Sequence, residues 1–178
     1  MEKLSESRDM RVKPYKKEFT YSYTEGVFPT IELIDNAPET VLRIITSSKS
    51  NNNTGVALLK EKCCALNIPF TEEDNTIARI CPKGSVMAVG VFSKRQQQLN
   101  KNNNHIVLVN PADMGNLGTI LRTAAAFSFF DIAIIEPAAD QFDPKTIRAS
   151  MGAFFRVRIH TYKSFDEYLK DAGEREFY

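Results

Sequence analysis

The chain has 178 residues, 43% of them hydrophobic and 25% charged, and its 23 basic and 22 acidic residues leave a formal net charge of +1. That is an ordinary soluble globular composition, long enough for one large domain or two small ones, and its charge balance gives no independent argument for a nucleic-acid partner. No apolar run approaches the length of a membrane span, MEKLSESRDM lacks the apolar core of a signal peptide, and Cys63, Cys64 and Cys81 have no C-x-x-C spacing, so buried thiols in a reducing cytoplasm are expected.

Residues 1–20 are charged and poor in aliphatic side chains, which predicts a flexible arm. Its basic residues, Lys13 and Lys16 among them, leave two readings open: an RNA-binding arm or a solvated terminus. Pro29 suits the first turn of a short helix over Pro29–Asp35. Val41–Thr46 reads as a strand and the polar SSKSNNNTG after it as a loop. Val56–Leu66 has helical spacing, with Leu58, Leu59, Cys63 and Leu66 on one side. Ile68–Phe70 reads as a short edge strand, where a proline does least harm, Thr76–Ile80 as a second short helix, and Ser85–Phe92 as a strand. Strands alternating with helices over 21–94 predict a small α/β domain. From Ser93 to Asn104 the composition changes to SKRQQQLNKNNN, with Leu99 its one aliphatic residue. Residues 95–104 are therefore read as an interdomain linker, open to proteases and only weakly coupling the two units.

The second unit, 105–178, opens on the uninterrupted apolar run Ile106–Val109, expected of a strand buried on both faces of a parallel sheet. A loop with two glycines, Asp113–Gly118, should then lead into a helix over Thr119–Phe127, with Ile120, Ala124 and Phe127 on one face and Arg122 near its start. A strand feeding a glycine-containing turn and a helix marks the place where open α/β sheets hold their ligands. Asp131–Ile135 reads as a second buried strand. Asp143 and Pro144 form an N-cap and first helical position, Ala153–Ile159 a third strand, and Ser164–Glu167 a capping box that opens a last helix.

Taken alone, Gly115-Asn116-Leu117-Gly118 is a weak signal, and a turn without a ligand explains it as well. It lacks the G-x-G-x-x-G fingerprint, no G-K-[ST] occurs anywhere, and with His105 and His160 the only histidines a metal site is not expected. The longer string says more. Asn110-Pro111, Asp113-Met114-Gly115-Asn116, Thr119-Ile120 and Arg122-Thr123-Ala124 closely resemble the first motif of the SpoU/TrmH family of RNA ribose 2′-O-methyltransferases, in the knotted SPOUT superfamily. A second block, Asp143-Pro144 followed by Arg148-Ala149-Ser150-Met151-Gly152-Ala153, also resembles that family at its expected place. Gly26-Val27-Phe28-Pro29-Thr30 and Ile68-Pro69-Phe70 look like the family's small substrate-binding domain, which is similar to a ribosomal RNA-binding protein.

The resemblance implies an α/β protein: a small N-terminal ribosomal-protein-like α/β substrate-binding domain, then the first half of a parallel-sheet SPOUT (α/β knot) domain. It implies transfer of a methyl group from S-adenosylmethionine to a ribose 2′-hydroxyl of ribosomal or transfer RNA, and a homodimer for the complete enzyme. The family's later glycine–asparagine–glutamate and serine–leucine–asparagine motifs do not occur. Cofactor contacts are accordingly expected beyond Tyr178, and the chain reads as a truncated N-terminal portion, inactive alone. The rival reading is a non-catalytic RNA-binding module. By resemblance, catalysis falls to Arg122, with Asn116 matching the motif's asparagine. Arg148 could meet an RNA phosphate or brace the turn before Gly152. Arg156 and Arg158, alternating along one strand with His160, could face RNA or form a solvated edge.

Overall fold

The computed structural model describes residues 11–50, 52–82 and 84–177; the first half of the predicted arm lies outside them. Two sheets organise these residues. The first contains β1 (Tyr21–Tyr23), β2 (Val41–Thr46), β3 (Phe70–Glu72) and β4 (Ala88–Ser93) in the order β1-β4-β2-β3. Strand β4 runs antiparallel to both neighbours, whereas β2 and β3 are parallel. Helices α1 (Val27–Asn36), α2 (Thr54–Leu66) and α3 (Asp74–Ile80) complete this unit. The second sheet is parallel throughout, β5 (His105–Val109), β6 (Asp131–Ile135) and β7 (Arg158–Tyr162) in sequential order. With it go α4 (Met114–Ala126), α5 (Pro144–Ala149) and α6 (Phe165–Ala172).

Caps explain several element ends. Asn53 Oδ1 accepts from the Val56 N–H to start α2, and Asn67, in a left-handed conformation at φ 53°, stops it. Asp143 caps α5 with Pro144 in its first turn, and Ser164 caps α6, its hydroxyl accepting from the Glu167 N–H. Along α2 the covered stripe is narrower than its spacing predicts: Val56, Leu59 and Cys63 are buried, while Leu58 and Leu66 face out. Of the three thiols, Cys63 and Cys81 are buried and Cys64 is exposed.

Four sequence expectations are corrected. The two-glycine stretch is the first turns of α4 rather than a loop, because the Asp113 carboxylate accepts from the Asn116 N–H at 2.7 Å and nucleates the helix there. Its second glycine is needed for packing: a Cβ on Gly118 would overlap the Thr146 carbonyl and come within 2.6 Å of the Ala149 Cβ, so α5 could not sit against α4. The early start also turns the buried face to Leu117, Leu121, Ala124 and Ala125, leaving Phe127 74% exposed. Next, β7 begins only at Arg158, since Ala153–Arg156 coil into a 3-10 turn whose Phe154 and Phe155 are buried. Third, β5 is half-exposed rather than covered on both faces, because it is an edge strand of its sheet.

The fourth correction concerns coupling. Residues 11–20 are not a free arm: Val12 is fully buried among Tyr21, Tyr23, Ile77 and Val89, and the Tyr15 hydroxyl donates to Asp140 of the second unit. Nor is 95–104 free. Leu99 is 7% exposed, packed on Ala133, Ile135 and Tyr162, a burial that stabilises by about 2 kcal/mol. The Asn100 N–H donates to Asp131 at 2.8 Å, the Gln97 carbonyl lies 2.9 Å from His160 Nδ1, and Arg175 donates to the carbonyls of Lys101 and Asn103. One aliphatic side chain with several backbone anchors suffices to pin the segment.

The two units also share a core. Leu33 of α1 and Phe92 of β4 belong to the same buried cluster as Leu117, Leu121, Ile132, Ile147, Phe154 and Phe155. Phe92 meets Phe155 edge-on at 5.2 Å between ring centroids. Gly152, at φ 83°, lets the turn after α5 approach α1, where a Cβ would fall 2.6 Å from the Glu32 side chain.

Candidate functional site

The carboxyl end of β5 leads through Asn110 and Pro111 into the capped start of α4, and α5 packs alongside. Between them lies an open cleft of about 660 Å³, bordered by Asp113, Met114 and Gly115, by Arg122 two turns further on, and by Lys145, Arg148 and Met151. Each position has a local cause. Asp113 fixes where α4 starts, so Arg122 emerges from its exposed side rather than toward the core. The Asp143–Pro144 start sets the register of α5, and three-residue spacing puts Lys145 and Arg148 on one helix face. Gly118 sets how close the two helices come.

The cleft is cationic. Arg122 and Lys145 are exposed, and neither side chain has a hydrogen bond or ion pair among the described residues. Arg148 Nη1 donates to Glu25 Oε2 at 3.0 Å, a contact reaching across from the first unit. The acid at the rim, Asp113, has one oxygen engaged in capping α4. Such a site attracts an anion, and arginine offers phosphate a planar fork of donors.

The remaining predicted residues are not gathered here. Asn116 is exposed on the first turn of α4, its N–H held by Asp113, and its side chain is not part of the cleft border. Lys13 and Lys16 are exposed on the N-terminal strap. Arg156, in the 3-10 turn, does not share a strand face with Arg158. Arg158 is committed internally: its Nε and Nη2 donate to Asp131 at 2.7 and 2.6 Å. Burial pushes the Asp131 carboxyl upward, but Arg158, the Asn100 N–H and the Asn103 amide outweigh it and hold it at about 2. An arginine spent on a buried carboxylate is a structural brace, not a spare contact for RNA. Sequence reasoning missed Lys145, whose signal was its spacing from Arg148. It also missed Glu25, which had none.

Comparison with known proteins places this geometry. Residues 103–178 match the family described as SpoU rRNA Methylase. Over 61 residues the chain is 41% identical to "rRNA methyltransferase 3, mitochondrial" of Xenopus laevis, covering 34% of this chain and 15% of the relative. Over 52 residues it is 36% identical to the 23S rRNA (uridine(2479)-2'-O)-methyltransferase of Streptomyces viridochromogenes, covering 29% of this chain and 18% of that one. The AdoMet-bound rRNA methyltransferase from Sinorhizobium meliloti superposes with a TM-score of 0.67 at 23% identity, over 94% of this chain and 63% of that structure. The fold is thus that of these methyltransferase structures, and the chain spans only part of the length of the relatives it matches.

Proposed function

We propose, because residues 103–178 match the family described as SpoU rRNA Methylase, that the chain is part of an RNA methyltransferase that moves a methyl group from S-adenosylmethionine to a ribose 2′-oxygen of ribosomal or transfer RNA. The observation that carries this reading is Arg122, unpaired among the described residues, at the head of a cationic cleft, on the helix that the family match covers. The 2′-O position is supported by the printed activity of the Streptomyces viridochromogenes relative, and the cofactor by the AdoMet-bound Sinorhizobium meliloti structure. The small first unit contributes RNA recognition, the working enzyme is a homodimer, and the location is the cytoplasm. Co-fractionation of a tagged chain with mitochondria, the compartment in the name of the Xenopus laevis relative, overturns that location.

The cofactor supplies an activated methyl group. The three cations around the cleft suit an anionic polymer rather than a sulfonium, so the described residues form the RNA side of the reaction and carry no assigned cofactor contact. A ribose hydroxyl is a poor nucleophile whose oxygen gains negative charge as its proton departs. Arg122 acts as a cation rather than as a base, since a guanidinium gives up a proton reluctantly. Its work is to hold the neighbouring phosphate and to stabilise the developing oxyanion. Asn116, exposed on the turn that opens α4, offers the substrate an amide for orientation.

The test is paired RNA binding and single-turnover methyl transfer by the full-length protein, using ribosomal RNA and labelled S-adenosylmethionine. Arg122→Ala should keep most RNA affinity and lose transfer by about 100- to 1,000-fold. Arg122→Lys should remain poor, because an ammonium keeps the charge and loses the fork. Near-normal transfer by Arg122→Ala removes that residue from the mechanism, and RNA binding with no transfer by the wild type favours a non-catalytic binding module.

A further inference from the structure

The ion pair between Arg148 and Glu25 is lopsided. The arginine side chain is 62% exposed at the cleft, while the glutamate is 14% exposed and belongs to the other unit, between β1 and α1. Only one guanidinium nitrogen, Nη1, is engaged, at 3.0 Å. Glu25 lies near the buried Cys81 thiol, whose pKa is pushed up to about 12 by burial, with the Glu25 charge adding to the shift. The acid is the largely buried end of the pair, whereas the exposed arginine is the movable end. A single-contact pair whose cation is exposed contributes little. A phosphodiester offers the same guanidinium two parallel hydrogen bonds, and Lys145 stands one turn away, its ammonium unpaired among the described residues.

Resting on the function proposed above, we propose that Lys145 and Arg148 form an RNA phosphodiester subsite beside Arg122, and that Glu25 is its positioning residue. Glu25 holds Arg148 over the cleft while no RNA is present and yields it to a phosphate when RNA arrives. The acid sets a threshold. A stray anion must displace Glu25 for one contact, whereas an RNA strand that also reaches Lys145 and Arg122 repays the displacement several times over. Because Glu25 is carried by the small unit, whatever orders that unit also sets the charge of the cleft.

The experiment is fluorescence anisotropy of a fluorescein-labelled RNA hairpin titrated with the 178-residue chain at several salt concentrations. Glu25→Gln, which keeps the side chain's size and removes its charge, should tighten binding by about two- to fivefold. In an Arg148→Ala background the same substitution should change nothing. Lys145→Ala should weaken binding and flatten the plot of log affinity against log salt by about 0.7–0.9, the value of one phosphate contact. Equal tightening by Glu25→Gln with and without Arg148 overturns the proposal, because removal of a negative charge then acts through the general field. Unchanged or weaker binding by Glu25→Gln overturns it too. If Glu25→Gln fails to fold, as thermal unfolding reports, Arg148→Lys decides: binding weaker by about threefold with the salt slope kept supports the fork contact, and unchanged binding overturns it. A wild-type chain that binds the hairpin at no salt concentration sinks the RNA reading itself, which is a separate outcome from failure of the Glu25 arrangement.

Discussion

Strands β5 and β6 are adjacent, parallel and in register from His105 opposite Asp131 to Val109 opposite Ile135. Their sequences, HIVLV and DIAII, read alike, yet their surroundings differ. Every residue of β6 is buried, while β5 is half-exposed and its Val109 is 62% exposed. Strand β6 lies between two partners. Among the described residues β5 has one, and its flank opens on a groove of about 780 Å³ bordered by Val107, Val109, Phe129, Phe165 and Phe177. An apolar run identifies a strand; its place in the sheet depends on how many partners arrive from elsewhere in the chain.

The largest effect expected from this contrast is at the middle of β6. Ile134→Ala should cost about 2–5 kcal/mol in urea unfolding, and Leu108→Ala in β5 less than half of that, since its site is already partly open. Equal losses would break the comparison by showing that β5 is as enclosed in solution as β6. Next comes the anchored start of β6. Asp131→Asn gives up the charged partner of Arg158 and should cost about 1.5–3 kcal/mol at neutral pH. The pH dependence has a definite sign. A carboxyl held at about 2 in the folded chain contributes its stability above the unfolded value of about 3.9, and loses it as pH falls toward about 2. The gap between wild type and Asp131→Asn should therefore close as pH falls from about 4 to about 2, and a gap that persists at the acid end would assign the loss to geometry rather than charge. The smallest effect is at the open end of β5: Val109→Thr should stay within about 0.5 kcal/mol, read as a shift in thermal midpoint of about 1–2 °C.

Much of the frame was legible because it depends on neighbours in sequence. Val41–Thr46 and Asp131–Ile135 are the strands their apolar runs predict, and Asp143–Pro144 and Ser164–Glu167 start helices through contacts within three residues. Arg122 was legible too, from its motif, although spacing gave no sign that its side chain would stand unpaired. One miss was local: the Asp113 cap turns the stretch with Gly115 and Gly118 into the start of a helix, although the need for a glycine at 118 shows only once α5 is brought against it. The others depend on distant partners. Leu99 looks too isolated to pack until Ala133, Ile135 and Tyr162 surround it. Arg158 reads as a spare cation until Asp131, buried 27 residues earlier, takes two of its three nitrogens. Glu25 and Arg148 are 123 residues apart, beyond any periodicity.

The seam between the units bears on how such a protein can be taken apart and rebuilt. Leu33 and Phe92 lie on the first unit's side of any cut at 95–104, yet their packing partners, Leu117, Phe154 and Phe155, lie on the other. A first unit excised at the linker, or transplanted onto a relative, would present that apolar face to water and would leave Tyr15 without Asp140. A graft of the first unit must therefore carry its counterface with it: the α1 surface, Phe92 and Tyr15 of the strap, matched to the residues they meet. The two units of this chain can be exchanged only as a fitted pair, not as beads on a string.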